Sequence, residues 1–165
     1  MELRRPTLAD KESIIDLILE FENEDSVHDG AFWNSNNFNY DDWLETNLTN
    51  EMGLNLPKDW VPAIQLVAFT DEQAIGFLNL RLRLNDSLLK QGGHIGYSVR
   101  PSQRGKGYAK EMLKEALNLA KQKNISKLLL TCHQDNPASR AIIIANGGQL
   151  EDIHENIERY WISLD

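Results

Sequence analysis

The chain has 165 residues, 41% of them hydrophobic and 25% charged, which allows a core of about one domain and excludes disordered or collagen-like classes. Its net charge of −8 excludes a general attraction to nucleic-acid phosphates, and no apolar run approaches the ~18–20 residues that span a bilayer. A single cysteine, Cys132, precludes an internal disulfide framework, and Met1-Glu2-Leu3-Arg4-Arg5-Pro6 lacks the apolar stretch of a secretory signal, so a reduced, cytoplasmic setting is expected.

Glu2 to Arg5 reads as a short first strand. Thr7-Leu8-Ala9-Asp10 reads as a helix start, with a hydroxyl at the cap and an acid three residues on. Ile14, Leu17, Ile18 and Phe21 follow at helical spacing, so this helix buries one face. Glu22 to Asn39 is polar and reads as a loop, and Trp43, Leu44 and Leu48 suggest a second helix from Tyr40 to about Asn50. Ile64 to Phe69 and Ala74 to Leu84 are strand-like, and Asp71-Glu72-Gln73 should turn the chain between them into an antiparallel hairpin. His94 to Val99 is the next strand, closed by Arg100-Pro101.

Ala109, Met112, Leu113, Ala116, Leu117 and Ala120 have the spacing of an amphipathic helix from about Gly107 to Gln122. Leu128-Leu129-Leu130, within Lys127 to Cys132, is the continuous apolar run of a strand covered on both faces. Asp135-Asn136-Pro137 starts a short helix to Ala145, stopped by Asn146-Gly147-Gly148. Strands near Gln149 to Ile153 and Ile157 to Leu164 complete the chain. The order predicts one domain over residues 1–165. Its fold is mixed α/β, with a mostly antiparallel twisted sheet of about seven strands and about four flanking helices. The unit from His94 to Cys132 should be parallel and right-handed.

Charge is unevenly spread. Between Thr7 and Val61, two lysines stand against thirteen acids; between Gly76 and Thr131, eleven basic residues stand against three acids. An acidic first third and a basic middle suit one cationic and one anionic ligand, although solvated helix faces carry such charges too.

The sharpest local signal is the strand His94 to Val99, then Arg100-Pro101-Ser102-Gln103-Arg104-Gly105-Lys106-Gly107, then the amphipathic helix. A helix start presents unpaired N–H groups and the positive end of the helix dipole. Gly105 and Gly107 let that backbone approach a ligand, and Arg104 and Lys106 add positive charge. Such a turn suits an anion, a pyrophosphate above all, though an ordinary glycine turn entering a helix has the same composition. It is not a P-loop, since no G-K-S/T triplet closes it, and the three-glycine dinucleotide spacing is absent.

Arg104-Gly105-Lys106-Gly107-Tyr108-Ala109 resembles the Q/R-x-x-G-x-G/A signature of the GNAT family of N-acetyltransferases. Asp135-Asn136-Pro137-Ala138-Ser139 followed by Asn146-Gly147-Gly148 resembles the family's later N-x-x-A/S and glycine segment, and the element order is similar over nearly the whole chain. Gly93 to Pro101 further resembles a group of uncharacterised predicted acetyltransferases within that family. The resemblance implies that the cofactor is acetyl-CoA or coenzyme A, with no metal. It implies that backbone N–H groups of Arg104, Gly105, Lys106, Gly107, Tyr108 and Ala109 hold the pyrophosphate. Backbone groups of Tyr97 and Val99 would pair with the pantetheine arm, the Val99 N–H meeting the thioester oxygen, and Asn136 and Ser139 would contact the cofactor. The last two also read as a helix cap and a first-turn hydroxyl.

The implied reaction is direct attack of a neutral amine on the thioester, which needs positioning, oxyanion stabilisation and a proton acceptor. Many family members place a general-acid tyrosine where this chain has Ile143. The candidate acid–base residues are His94, Tyr97 and His133; strand alternation puts His94 and Tyr97 on opposite faces, and each also reads as structural. Cys132, beside an apolar run with no evident activating base, reads as an inert buried thiol. The acceptor should sit against the acidic first third, among Phe32, Trp33, Phe38, Tyr40 and Trp43, which suits a small cationic amine or a peptide amine, although such aromatics are also core residues. No nucleic acid or membrane is expected as a partner, and a homodimer is common in the family. The alternatives are a non-catalytic coenzyme A sensor, which Ile143 favours, and a nucleotide-binding domain of another kind.

Overall fold

All 165 residues are described in a computed structural model. Seven strands form two antiparallel ladders, one ordered β1-β2-β3-β4 and the other β5-β7-β6. The first contains β1 (Glu2–Arg4), β2 (Ala63–Thr70), β3 (Gln73–Arg81) and β4 (Ile95–Val99). The second contains β5 (Lys127–His133), β6 (Gln149–His154) and β7 (Ile157–Ser163). Five helices accompany them: α1 (Lys11–Asn23), α2 (Tyr40–Glu51), α3 (Asp86–Lys90), α4 (Tyr108–Gln122) and α5 (Pro137–Ala145). None is long and apolar enough to cross a membrane.

Local chemistry accounts for most boundaries. Asp10 accepts from the amide and hydroxyl of Thr7 (2.8 and 3.1 Å), tying down a single 3₁₀ turn, Leu8–Asp10, from which α1 departs. Asn39 caps α2 by accepting from the Asp42 amide (3.0 Å). Asp71 and Glu72 turn the β2–β3 hairpin with φ of 47° and 67°, the two positive dihedrals that a two-residue turn of this twist demands. The predicted long third strand stops at Arg81. Asn85 then caps α3, a short helix that lacks the apolar periodicity by which the longer helices are legible.

Two apolar clusters lie on opposite sides of the first ladder. Ile14, Leu17, Ile18 and Phe21 of α1 pack with Trp33, Tyr40 and Trp43 over Val67, Phe69, Ala74 and Phe77. On the other side, Met112, Leu113, Ala116 and Ala120 of α4 cover Leu66, Leu78, Leu80, Ile95 and Val99. That cluster continues into the second ladder through Leu128, Leu130 and Ile162. Leu129 is also fully buried, as expected for a run covered on both faces.

β4 and β5 do not pair along their length. They touch at one point: the His94 amide donates to the Leu129 carbonyl (2.8 Å), and the Leu129 amide donates to His94 Nδ1 (2.9 Å). Gly93 makes this approach possible, with φ of 59° and no room for a side chain; a Cβ there would lie 2.3 Å from the Leu129 oxygen. The parallel pairing expected between these strands is therefore reduced to a joint, beyond which a gap separates the two ladders.

Candidate active site

The gap is lined on the β4 side by main chain. Arg81 donates its amide to the His94 carbonyl (2.7 Å) and Arg100 its amide to that of Ile75 (2.8 Å). Antiparallel ladders alternate, so the main-chain groups of Tyr97 and Val99 point away from β3 and into the gap. Arg104 Nε reaches the Val99 carbonyl (2.9 Å), which fits that orientation.

Past β4, Pro101–Gln103 form a 3₁₀ turn and the chain enters α4 through two glycines at φ of 79° and 82°. Neither has any atom within 4 Å of where its Cβ would be, so this backbone faces open space. The amides of six consecutive residues, Gly105 to Lys110, donate to no protein acceptor. The Arg104 amide is engaged by Pro101 (3.4 Å), so the free run begins one residue later than predicted and extends one further. The Arg104 guanidinium also turns away, to Val99 and to Ser26 Oγ (2.8 Å), and Lys106 leans on Gln103 Oε1 (2.9 Å). The anion-binding capacity therefore resides in backbone N–H groups at a helix start. Arg100, in the same basic segment, is internal: it is 3% exposed and bound to Asp16, Glu20 and the Ala74 carbonyl. The acidic first third and the basic middle thus partly neutralise each other.

Tyr97 projects from β4 to the α4 side, and its hydroxyl lies 3.1 Å from Ser139 Oγ on the first turn of α5. Burial pushes the Tyr97 hydroxyl's pKa up, against a smaller opposing effect of the Ser139 bond, so it stays protonated at neutral pH. Asn136 accepts from the Ser139 amide (3.1 Å) and caps α5. Ile143 is fully buried, with its side chain against Gly148.

His94 meets a different fate from the proton acceptor expected of it. Nδ1 spends its lone pair on the Leu129 amide, which leaves Nε2 carrying the hydrogen and no lone pair free to take another proton. Burial, and then the nearby Arg81 charge, lower its pKa to about 4. His94 is the joint between the ladders. His133 is exposed at the end of β5. The Cys132 thiol is pushed up to about 11 by burial and by Glu158, in keeping with an inert thiol.

On the α1–α2 side a cleft of about 1270 Å³ opens above the sheet. Its acids are Asp25, Asp29, Asp42, Glu45 and Asp59. Others of the acidic third are committed elsewhere, Asp10 to Arg4 and Glu51 to Arg5. The expected aromatic wall divides. Trp33, Tyr40 and Trp43 are core, whereas Phe32 is 70% exposed and meets Trp60 edge-on at 6.0 Å. The cleft reaches β4 at Gly30, whose Cα packs so closely on that strand that a Cβ would lie 2.6 Å from the Gly96 oxygen. Ser98 Oγ donates to the Asp29 carbonyl beside it (2.6 Å).

Three cleft residues escaped the sequence reading. His28 donates from Nδ1 to the Ala31 carbonyl (3.1 Å) and stacks on Trp33 at 3.7 Å, so the neutral ring keeps a free lone pair on Nε2. Asn79 and Arg81 are the polar interruptions of an otherwise buried β3, at i and i+2, a signal present in Asn79-Leu80-Arg81.

No curated protein matches this sequence significantly. Solved structures resemble it throughout. YncA of Salmonella typhimurium, solved with its cofactor acetyl-CoA, is 16% identical with a TM-score of 0.64, covering 99% of this chain and 94% of its own. RimL, a ribosomal L7/L12 alpha-N-protein acetyltransferase in complex with coenzyme A, is 19% identical with a TM-score of 0.68, covering 99% and 94%. The spermidine N-acetyltransferase SpeG of Vibrio cholerae is 18% identical with a TM-score of 0.64, covering 99% and 95%. Residues 1–149 match the family model of the acetyltransferase (GNAT) domain, and the chain belongs to that family, as an N-acetyltransferase that uses acetyl-CoA.

Proposed function

We propose that the acceptor is a primary amine, of a small molecule or a peptide, which enters through the α1–α2 cleft and meets acetyl-CoA at the β4–β5 gap. The observation that carries this reading is the juxtaposition of two openings. The free amides of Gly105 to Lys110 and the main chain of Tyr97 and Val99 border the gap, and the acid-lined cleft approaches the same strand from the other face at Gly30 and Gly96.

Acetyl-CoA supplies an activated acetyl group; the chain's residues hold and orient it. The amides of Gly105 to Lys110 grip the diphosphate, and the Tyr97 and Val99 main chain aligns the pantetheine arm as an added strand. The Val99 N–H donates to the thioester oxygen as it gains charge. The cleft acids attract an ammonium group, which sheds one proton to solvent to become the attacking amine. His28 Nε2 takes the second proton from the nitrogen as the N–C bond forms, and solvent later returns a proton to Tyr97. Tyr97, held by Ser139 and kept protonated by burial, replaces the missing α5 tyrosine as donor to the departing thiolate. Asn136 supports that hydroxyl by capping the turn that carries Ser139.

The test is thiol release from acetyl-CoA across a panel of polyamines, amino acids, amino-acid amides and peptides. Turnover should appear with at least one class and require a free amine. Tight coenzyme A binding with no turnover on any of them would overturn the proposal.

A further inference from the structure

The sheet face beneath the cleft changes character along its length. Register puts Val67 opposite Phe77, then Gln65 opposite Asn79, then Ala63 opposite Arg81. The first pair lies under α1 and the buried tryptophans; the next two rows form the polar floor of the cleft. On β4 the same rows end at Gly96 and His94. Gln65 and Asn79 satisfy each other and Gly30: Gln65 Nε2 donates to the Gly30 carbonyl (2.7 Å), and Asn79 Nδ2 donates to Gln65 Oε1 (3.3 Å).

Arg81 is less well provided for. It is the one lysine or arginine lining a cleft that holds five carboxylates, yet no carboxylate lies within 4 Å of it. Arg4, Arg100, Arg140 and Arg159 each hold a carboxylate at 2.7–2.8 Å. Arg81 uses only Nη1, donating to the Gly92 and Gly93 carbonyls (3.1 and 3.3 Å). Nε and Nη2 bond to nothing in the protein, and Nη2 lies 3.2 Å from where a Gly96 Cβ would be, against the strand that borders the gap. Burial lowers its pKa, with Asp29 the only group that partly offsets this. A half-buried guanidinium with an unused pair of donors is matched to a planar oxyanion.

Resting on the proposed amine acetylation, we propose that the acceptor carries a carboxylate as well as its amine, as an amino acid does, and that Arg81 selects it through Nε and Nη2. The carboxylate settles on the floor beside Gly96, and the ammonium group faces the surrounding acids, with Asp29 nearest to Arg81 in effect. One molecule thereby meets both signs of charge in the cleft. A polyamine would bring only positive charge to Arg81, and Gly96, on which the Gly30 backbone and Arg81 Nη2 both pack, ties this end of the floor to the strand that borders the gap.

The test compares amino acids with their carboxamides, which keep the amine and remove the negative charge, by thiol release with the full-length chain. The free acids should show kcat/KM at least about tenfold above their amides, the value of one charge-assisted contact. Arg81→Met should bring that ratio close to one, mainly through KM. Arg81→Lys keeps a charge that can still reach the Gly92 and Gly93 carbonyls but loses the planar fork, and should fall between. Thermal melts of both variants separate misfolding from lost selectivity, and the acid-to-amide comparison in the unaltered protein needs no variant. Equal turnover of acid and amide, preference for polyamines, or an unchanged ratio in Arg81→Met would each overturn the assignment. If no amine turns over, calorimetry with coenzyme A present decides separately. Binding of the acids but not the amides would keep the carboxylate site and sink the acetylation reading, and binding of neither would sink both.

Discussion

Gly107→Val separates what the turn before α4 does for the fold from what it does for the ligand. Gly107 has φ of 82°, and nothing lies within 4 Å of its missing Cβ, so valine meets no neighbour and its cost to the fold is backbone strain alone. A left-handed β-branched residue costs about 2 kcal/mol, which for a chain of this length lowers Tm by roughly 4–8 °C. The cost to binding is larger. Valine either screens the amides beside it or relaxes by rotating its peptide units away from the anion. Losing two charge-assisted bonds, at about 1.5–3 kcal/mol each, weakens coenzyme A about a hundredfold or more. Gly53→Val is the matched control. Gly53 has φ of 76° with only Pro62 Cγ near, at 3.4 Å, and it lies past α2 on the opposite face of the sheet. It should show a similar fall in Tm and unchanged coenzyme A affinity by calorimetry. A folded Gly107→Val variant that binds coenzyme A as tightly as the parent would refute the assignment of the amide run.

Other substitutions address the remaining residues. Tyr97→Phe, which leaves the main chain in the gap untouched, should lower kcat about tenfold or more in thiol-release assays while coenzyme A affinity holds, the size expected for a lost proton donor. Ile143→Tyr should not restore a general acid: that side chain is wholly buried against Gly148, so overpacking costs about 1–3 kcal/mol and should register as a lower urea midpoint with no gain in kcat. Glu158 is held at about 2, against 4.5 when free, chiefly by Arg140 and then by Tyr160 and Cys132. Because its folded pKa is depressed, the stability it contributes is fully present above about pH 4.5 and is lost as pH falls toward 2. Urea midpoints measured across that window should fall less steeply in Glu158→Gln than in the parent; equal slopes would show that another group governs acid unfolding.

The legible parts of the site were those written in contiguous residues. The glycine turn, the helix it opens and the apolar face of that helix are short-range features, because the left-handed turn and 3.6-residue periodicity depend on neighbours in sequence. Asn136 as a cap and Cys132 as an inert thiol were readable for the same reason. The length of the free amide run was not, since the partner that removes Arg104 from it is set by the 3₁₀ turn at Pro101.

Residue types and periods by themselves determined most of the elements, and two contiguous motifs carried the likeness to the family and marked the glycine turn as an anion-site candidate. Tertiary structure decided which side chains face which neighbour. It turned His94 from a base into the joint at Leu129, drew Arg100 into α1, and sent Arg104 to Val99 and Ser26. It placed Tyr97 across from Ser139 and left Arg81 without a carboxylate. Each of these pairings joins residues distant in sequence or set by a turn's geometry, and a histidine or arginine has the same composition whether its donors are spent or free. Only the packing of strands and helices, which brings those partners to within hydrogen-bonding distance, distinguishes the two.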